Sequence, residues 1–218
     1  MTRLIDLSHE IGEGTITYPG LPAPKISDYI GHRTLDRYAP GTTFQISRVE
    51  MVGNSGTYLD APVHRYEGEA DVAQLPLEKL ANLDGIVIDA RDALRIVDGS
   101  YFASRSLRGK AVLVHTGWSK HFGTAQYGSG HPYLTEGAAQ LLVEAGAALV
   151  GIDSVNIDDT AGGERPVHTT LLRAGVLIVE HLTNLKALPA NGFRFHAVPP
   201  KVRGAAAFPV RAFALIEE

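Results

Sequence analysis

Three stretches in the middle of the chain decide its fold class: Ala111–His115 (AVLVH), Thr135–Ala145 (TEGAAQLLVEA) and Ala148–Ile152 (ALVGI). The first and the third are apolar runs of strand length that carry β-branched residues, which suit the pleated surface of a sheet. The second begins with Thr135, a residue typical of a helix N-cap, repeats apolar residues at helical spacing and stops at Gly146. Together they predict a strand, a helix and a strand, the repeating unit of an α/β protein.

The pattern continues in both directions from this unit. A second helix is predicted over Val167–Arg173, because its leucines can face the core and Gly175 follows as a stop; it leads into the apolar run Val176–Glu180. Further apolar runs of strand length are Arg3–Leu7, Phe44–Val52, Gly85–Asp89 and Val210–Ile216. The sequence therefore predicts an α/β fold whose N-terminal half is richer in strands and loops than in helices.

Length, charge and composition narrow the classes of function. With 218 residues, 44% of them hydrophobic, the chain can bury one sizeable core, so we expect a single domain over residues 1–218. A net charge of -4 gives no basic surface for nucleic acid, and a small neutral or anionic metabolite is a better partner. The absence of cysteine excludes disulfides, thiol nucleophiles and metal–thiolate sites. No leader-like or membrane-spanning stretch is seen, so we expect no membrane partner and a cytoplasmic location.

The segment 53–64 (GNSGTYLDAPVH) places four polar side chains at even positions: Asn54, Tyr58, Asp60 and His64. An extended backbone would point all four to one face, so an amide, a phenol, a carboxylate and an imidazole would converge. The same letters also fit an ordinary strand exit at Asp-Ala-Pro, followed by a surface histidine. A second polar cluster is needed to favour the first interpretation.

His168 and Glu180 form that second cluster. His168 opens the second predicted helix after the loop 156–166, which is rich in aspartate and glycine, and Glu180 ends an apolar strand. Ligands of open α/β sheets usually bind at the carboxyl ends of strands, and a buried carboxylate there needs a cation or strong donors nearby. The alternative is a Glu180 side chain that faces solvent. His181 is predicted to point to the opposite face of the strand.

Residues 54–64, N-S-G-T-Y-L-D-A-P-V-H, resemble the hallmark H-x-G-T-H-x-D-x-P-x-H of the cyclase-like hydrolase family, which includes bacterial kynurenine formamidase (arylformamidase) and isatin hydrolase. The resemblance continues in order at residues 5–9 (IDLSH), 115–118 (HTGW), 151–153 (GID) and 168–172 (HTTLL). It implies a swivelling β/β/α-type domain with a mixed sheet flanked by helices. It also implies a homodimer or homotetramer that hydrolyses an amide or lactam with metal-activated water.

The resemblance further implies roles for the motif residues. In the family, two histidines and the following aspartate hold a divalent metal, zinc or manganese; here Asn54 and Tyr58 replace the histidines, whereas Asp60 is kept. The last histidine, His64, matches the residue that transfers protons. A carboxamide oxygen is a weak ligand and a phenol stays protonated near neutral pH. The resemblance therefore implies that one metal site is weakened or lost.

The leading hypothesis is a hydrolase of a small aromatic or cyclic amide, of the N-formylkynurenine type, that uses metal-activated water. Asp60, His168 and Glu180 would hold its single ion, since three protein ligands plus water form the usual catalytic site. His64 would transfer the proton to the leaving amine, and Tyr58 would donate a hydrogen bond to the developing oxyanion.

Two alternatives remain open. In an enzyme without metal, Asp60 would orient His64 as a general base while Tyr58 and Asn54 polarise a carbonyl, which suits a cyclase, a dehydratase or a lactone hydrolase. In the other alternative the chain is a non-catalytic ligand-binding homologue, because two motif histidines are replaced. The residues predicted to contact the substrate are Asn54, Trp118 and Tyr18.

Overall fold

A mixed sheet of nine strands forms the centre of the computed structural model, which describes residues 1–35 and 37–217. Numbered along the chain, the strands are β1 (Thr2–Asp6), β2 (Lys25–Thr34), β3 (Thr43–Glu50), β4 (Tyr58–Asp60), β5 (Leu83–Asp89), β6 (Ile96–Val97), β7 (Ala111–His115), β8 (Tyr133–Leu134), β9 (Leu149–Ile152), β10 (Leu177–Glu180), β11 (Asn191–His196), β12 (Ala207–Pro209) and β13 (Phe213–Glu217). The α-helices are α1 (Glu136–Glu144) and α2 (Pro166–Arg173). The order across the large sheet is β1-β13-β11-β5-β7-β9-β10-β4-β12, and β2–β3 and β6–β8 form two small sheets.

Four parallel strands, β5, β7, β9 and β10, occupy the middle of the large sheet. Both faces of these strands are buried: Val112 of β7 belongs to one hydrophobic cluster and its neighbour Leu113 to a second. The first cluster includes Leu142 of α1 and Leu171 of α2, so the helices cover this face. Burial on both faces explains why the central strands read as continuous apolar runs and not as alternating patterns.

Antiparallel strands extend the sheet on both sides of this centre. β11, β13 and β1 follow β5, and β4 and β12 follow β10. The sheet curls, so the second hydrophobic cluster joins Leu59 of β4 to Phe195 of β11 and Ala214 of β13. Gly151 leaves space inside this cluster, because a Cβ there would lie 2.6 Å from Leu182 Cδ1. A mixed sheet with few helices confirms the predicted α/β class.

Agreement between predicted and observed elements is closest in the middle of the chain. Strand β7 has the predicted bounds, and the Thr135 hydroxyl accepts the N–H of Ala138 as the N-cap of α1. The sequence did not predict β2, β11 or β12. In β11 only Phe193 and Phe195 are buried, with the exposed Arg194 between them. Strand β12 has three residues and includes Pro209. None of these strands forms the continuous apolar run that marks the central ones.

The single domain and the cytoplasmic location remain sequence-based predictions. No helix within the described ranges is long and apolar enough to cross a membrane. The assignment of residues 1–218 to one domain, and the cytoplasmic location, are expectations from the sequence.

Candidate functional site

The pairing of β4 with β10 creates the first half of the candidate site. The two strands run antiparallel, with Tyr58 directly opposite Glu180. Residues directly opposite in a sheet point to the same face. The Tyr58 hydroxyl therefore reaches Glu180 and donates a hydrogen bond of 2.5 Å to its Oε2 atom, while Oε1 accepts the backbone N–H of Ile157 at 2.6 Å. Glu180 is buried at the carboxyl end of β10, so the solvent-facing alternative is wrong.

Burial controls the ionisation of this pair. It raises the pKa of Glu180 to about 7; Asp60 adds to the rise, whereas His168 and the hydrogen bond from Tyr58 oppose it. Burial also raises the pKa of Tyr58 well above its usual value, and the charges of Glu180 and Asp60 raise it further. Tyr58 is therefore a neutral donor whose hydroxyl is already bound to Glu180. Its predicted role as an oxyanion donor stays a prediction.

The backbone conformation that brings Asp60, Asn54 and His64 together differs from the extended one that the sequence suggested. Only Tyr58–Asp60 is a strand; the loop before it turns at Gly56 (φ 63°), and a 3-10 helix that ends at His64 follows. Asn54 Nδ2 donates to Asp60 Oδ1 at 3.4 Å, and His64 Nδ1 lies 3.8 Å from the same oxygen. The predicted convergence is confirmed, but an extended backbone through even positions is the wrong reason for it.

Asp158 positions His168, and the sequence-based prediction missed this role. The carboxylate of Asp158 accepts the backbone N–H groups of Val167 and His168, at 2.7 and 3.0 Å, and contacts His168 Nδ1 at 2.6 Å. His168 Nε2 is thereby aimed at two other carboxylates, 3.7 Å from both Asp60 Oδ2 and Glu180 Oε1. An aspartate in the loop before a helix is the signal that could have found it, since such residues bond the N–H groups of the first turn.

The charges around His168 determine its protonation. Burial is the largest influence and lowers the pKa of His168, but the hydrogen bond to Asp158, the contact with Asp60 and the charge of Glu180 outweigh it together. The resulting pKa is about 10. In the protein alone, the imidazolium of His168 is therefore the positive charge that offsets these carboxylates.

Asp60, His64 and His168 offer a donor set for a divalent metal ion. Their ligand atoms, one carboxylate oxygen and two imidazole nitrogens, all lie within 4.8 Å of one another. Asp60 Oδ2 is buried and has no hydrogen-bond partner among the described residues, and a buried carboxylate oxygen needs a cation nearby. Zinc and manganese accept such mixed ligands. The residues therefore fit an ion. In this donor set the third residue is His64, which was predicted only for proton transfer, and not the predicted ligand Glu180.

A cavity of about 290 Å³ opens onto His64 and His168, whereas Asp60 does not line it. Six residues predicted from the sequence line it: Tyr18, Asn54, Tyr58, His64, His168 and Glu180. Trp118, predicted to contact the substrate, is not part of this lining. Its indole N–H donates to the carbonyl oxygen of Tyr127 at 2.9 Å, and its ring lies against His121. The structure therefore brings Tyr18 and Asn54 to the cavity but leaves Trp118 outside it.

Comparison with known proteins shows the family. Residues 5–159 match the model of the family described as "Putative cyclase". The chain is 28% identical to the kynurenine formamidase of Polaromonas naphthalenivorans (strain CJ2), over 96% of this chain and 89% of that protein. It is 27% identical to the kynurenine formamidase of Bordetella avium (strain 197N), over 97% of each.

Solved structures share the fold. Isatin hydrolase A from Labrenzia aggregata, bound to benzyl benzoate, superposes with a TM-score of 0.86 at 24% identity, over 100% of this chain and 94% of that chain. A structure described as a "predicted metal-dependent hydrolase from Bacillus stearothermophilus" gives a TM-score of 0.79 at 27% identity, over 100% of both chains. These matches confirm the resemblance that the motif at residues 54–64 indicated. The chain belongs to the cyclase family.

Proposed function

We propose that the protein is a metal-dependent amidohydrolase that cleaves a small aromatic amide of the N-formylkynurenine type into formate and the free amine. The observation that carries this proposal is the buried Asp60 Oδ2, which has no hydrogen bond among the described residues and faces His168 Nε2 at 3.7 Å, next to a cavity of about 290 Å³. The similarity to proteins named kynurenine formamidase and metal-dependent hydrolase supports the same class of reaction.

Asp60 and His168 would hold the ion, and His64 and Glu180 are the two candidates for its third ligand. Both residues line the cavity; we assign Glu180 to the ion and His64 to proton transfer, because the His64 side chain is 33% exposed, whereas Glu180 is buried. A divalent ion at this position would acidify water and polarise the amide carbonyl. Asp158 keeps Nε2 of His168 turned toward the ion by binding its Nδ1 atom.

The remaining chemistry is carried out by the side chains of the cavity. Water adds to the amide carbon as His64 takes one of its protons, and the carbon–nitrogen bond then breaks as the leaving amine receives that proton from His64. Asp60 Oδ1, 3.8 Å from His64 Nδ1, would orient the imidazole. Tyr58 is bound to Glu180, which supports a positioning role for its hydroxyl.

Metal analysis combined with an arylformamidase assay tests this proposal. The wild type should contain about one ion per chain and lose activity on chelation. Asp60→Asn should lose both the ion and the activity. His64→Ala should keep the ion but lose activity roughly 100-fold or more, the usual contribution of a general acid. His32→Ala, at an exposed position away from the cavity, is the control and should change neither.

Other outcomes of the same experiment favour the alternatives. Full activity in a metal-free, chelated sample would refute the metal-dependent mechanism and favour catalysis by Asp60 and His64 alone. A ligand that raises the melting temperature without any turnover would favour a binding homologue. Loss of the ion in His64→Ala would make His64 the third ligand, and the assignment of Glu180 would then be wrong.

We also propose that the protein assembles as a homodimer or homotetramer. Every residue of β3 is exposed, including Phe44, Ile46 and Val49, and β3 pairs only with β2 among the described residues. A two-stranded hairpin is marginally stable alone, and contiguous exposed apolar side chains mark interfaces. A second copy of the chain would cover them. Analytical ultracentrifugation should give a multimer for the wild type and a smaller species for Phe44→Asp/Ile46→Asp; an unchanged mass would contradict this surface.

A further inference from the structure

Two arginine side chains line the candidate cavity in addition to the predicted residues: Arg65 and Arg165. Arg165 precedes helix α2, and its Nη1 atom donates to three backbone carbonyl oxygens, those of Asp159, Gly162 and Glu164, at 3.3, 2.9 and 2.7 Å. These bonds fix the guanidinium group at the edge of the cavity. They all leave from Nη1, so the Nε and Nη2 atoms have no acceptor among the described residues.

Arg65 is also held by hydrogen bonding at the cavity. It directly follows His64, and its Nε atom donates to the hydroxyl of Thr169 on α2 at 3.0 Å. Its guanidinium carbon also lies 5.8 Å from the ring centre of Tyr66. The hydrogen bonds of both arginines thus go to neutral oxygen atoms, which orient the guanidinium groups without cancelling their charge.

Four other arginines, Arg91, Arg95, Arg194 and Arg211, are paired with a carboxylate. Arg91, Arg194 and Arg211 each form an ion pair of 2.5 to 2.6 Å with an aspartate. Within the described residues, neither Arg65 nor Arg165 has a carboxylate within the 4.0 Å of an ion pair.

The acidic groups of the cavity do not offset the two arginines. Asp60 and Glu180 face His168 Nε2 at 3.7 Å, and they are the groups assigned to a metal ion. The cavity therefore carries positive charge beside the groups that act on the amide. A guanidinium group presents a fork of donors that matches a carboxylate, and such bonds are stronger than those between neutral groups.

We propose that Arg65 and Arg165 bind a carboxylate of the substrate, so that the protein hydrolyses aromatic amides that carry an acidic group in preference to neutral ones. This rests on the proposed amidohydrolase function and specifies its substrate class. Tyr18 and Leu21, which also line the cavity, supply the apolar surface for the aromatic part of such a molecule. The carboxylate lies away from the bond that breaks, so its binding acts equally on the bound substrate and the transition state.

A matched pair of substrates tests this inference. The pair is the deaminated analogue of N-formylkynurenine, which carries a carboxylate, and the methyl ester of that analogue. For the wild type, kcat/KM should be at least about 10-fold higher for the acid, as expected for charged hydrogen bonds. Arg65→Gln and Arg165→Gln should each lower kcat/KM for the acid about 10-fold, mainly through KM, and change the value for the ester less than about 2-fold. Arg173→Gln removes a charge at the last residue of α2, outside the cavity, and should leave the ratio of the two substrates unchanged.

A binding measurement separates this inference from the proposed function. Calorimetry of the two amine products requires no turnover, so it remains informative if neither amide is hydrolysed and the proposed function fails. The wild type should bind the acidic product more tightly, and the double variant Arg65→Gln/Arg165→Gln should lose that preference. A preference for the acid that is equal in the wild type and in the double variant, in kinetics or in binding, would overturn the inference.

Discussion

Replacing Tyr58 by phenylalanine is expected to destabilise the protein through Glu180. The side chains are 2% and 0% exposed, and the substitution removes the only hydrogen bond to Glu180 Oε2 among the described residues. A hydrogen bond to a charged group contributes about 1.5–3 kcal/mol, and a buried acceptor left without a donor costs a similar amount. We therefore expect a loss of about 2 kcal/mol in the free energy of unfolding, or roughly 4–8 °C in Tm for a chain of this length.

The matched control is Tyr127→Phe, which removes a buried tyrosine hydroxyl from a neutral partner, His181 Nδ1, at 2.9 Å. The expected cost there is about 1 kcal/mol. Urea unfolding of both variants in the presence of a chelator gives the comparison without a contribution from bound metal. A cost for Tyr58→Phe equal to or below that of the control would refute the reasoning, since it rests on the charge of Glu180.

The pH dependence of this variant has a defined sign. Burial raises the pKa of Glu180 from 4.5 to about 7 in the folded protein, so its contribution to stability falls as pH rises from 4.5 through 7. The hydrogen bond from Tyr58 lowers the pKa, and its removal raises the pKa further. The loss in free energy of unfolding caused by Tyr58→Phe should therefore be larger at about pH 9 than at about pH 5. A deficit that does not change with pH would contradict the assignment of the carboxylate as acceptor.

Three further predictions test other parts of the structure. Gly151→Ala places a Cβ against two leucine side chains in the core, at 2.6 and 2.9 Å, and should cost about 1–3 kcal/mol in urea unfolding, whereas Gly163→Ala, in open space, should cost far less. Burial lowers the pKa of His181 to about 3, so the stability that depends on its neutral form is present above pH 6.5 and is lost as pH falls. The variant His181→Asn keeps a residue type that tolerates the positive φ at this position. Between about pH 6.5 and 4, its free energy of unfolding should fall less than that of the wild type. Asp158→Asn should weaken metal binding about 10- to 100-fold in competition with a chelator, because it releases Nδ1 of His168; unchanged affinity would contradict that role.

The parts of the fold that could be predicted from the sequence are those with strong local signals. Strand β7 is apolar at consecutive positions because both of its faces are buried, and α1 starts at a threonine that caps it and ends before Gly146, which has a positive φ of 74°. Strand β11 has no such signal, since only Phe193 and Phe195 point into the core. Local patterns thus reveal the centre of the sheet and the flanking strands β1 and β13, but they miss β11 and β12.

The candidate site was only partly predictable, because its geometry depends on contacts between distant parts of the chain. Residue types indicated that Asp60, His168 and Glu180 are functional, and the structure brings them together. The contact between Tyr58 and Glu180 depends on the register of β4 against β10, which no short motif encodes. The position of Asp158 likewise depends on how the loop 156–166 folds back onto the first turn of α2.

The antiparallel pairing of β4 with β10 also affects the order of folding. It joins Tyr58 to Glu180 across 122 residues of chain, whereas α2 and β10 are neighbours in sequence. Closing so long a loop is entropically costly, and contacts of this kind slow folding. We expect the parallel centre of the sheet to form first and β4 to dock late. During synthesis, the cavity can form only after most of the chain has emerged, so ligand binding reports that folding is nearly complete.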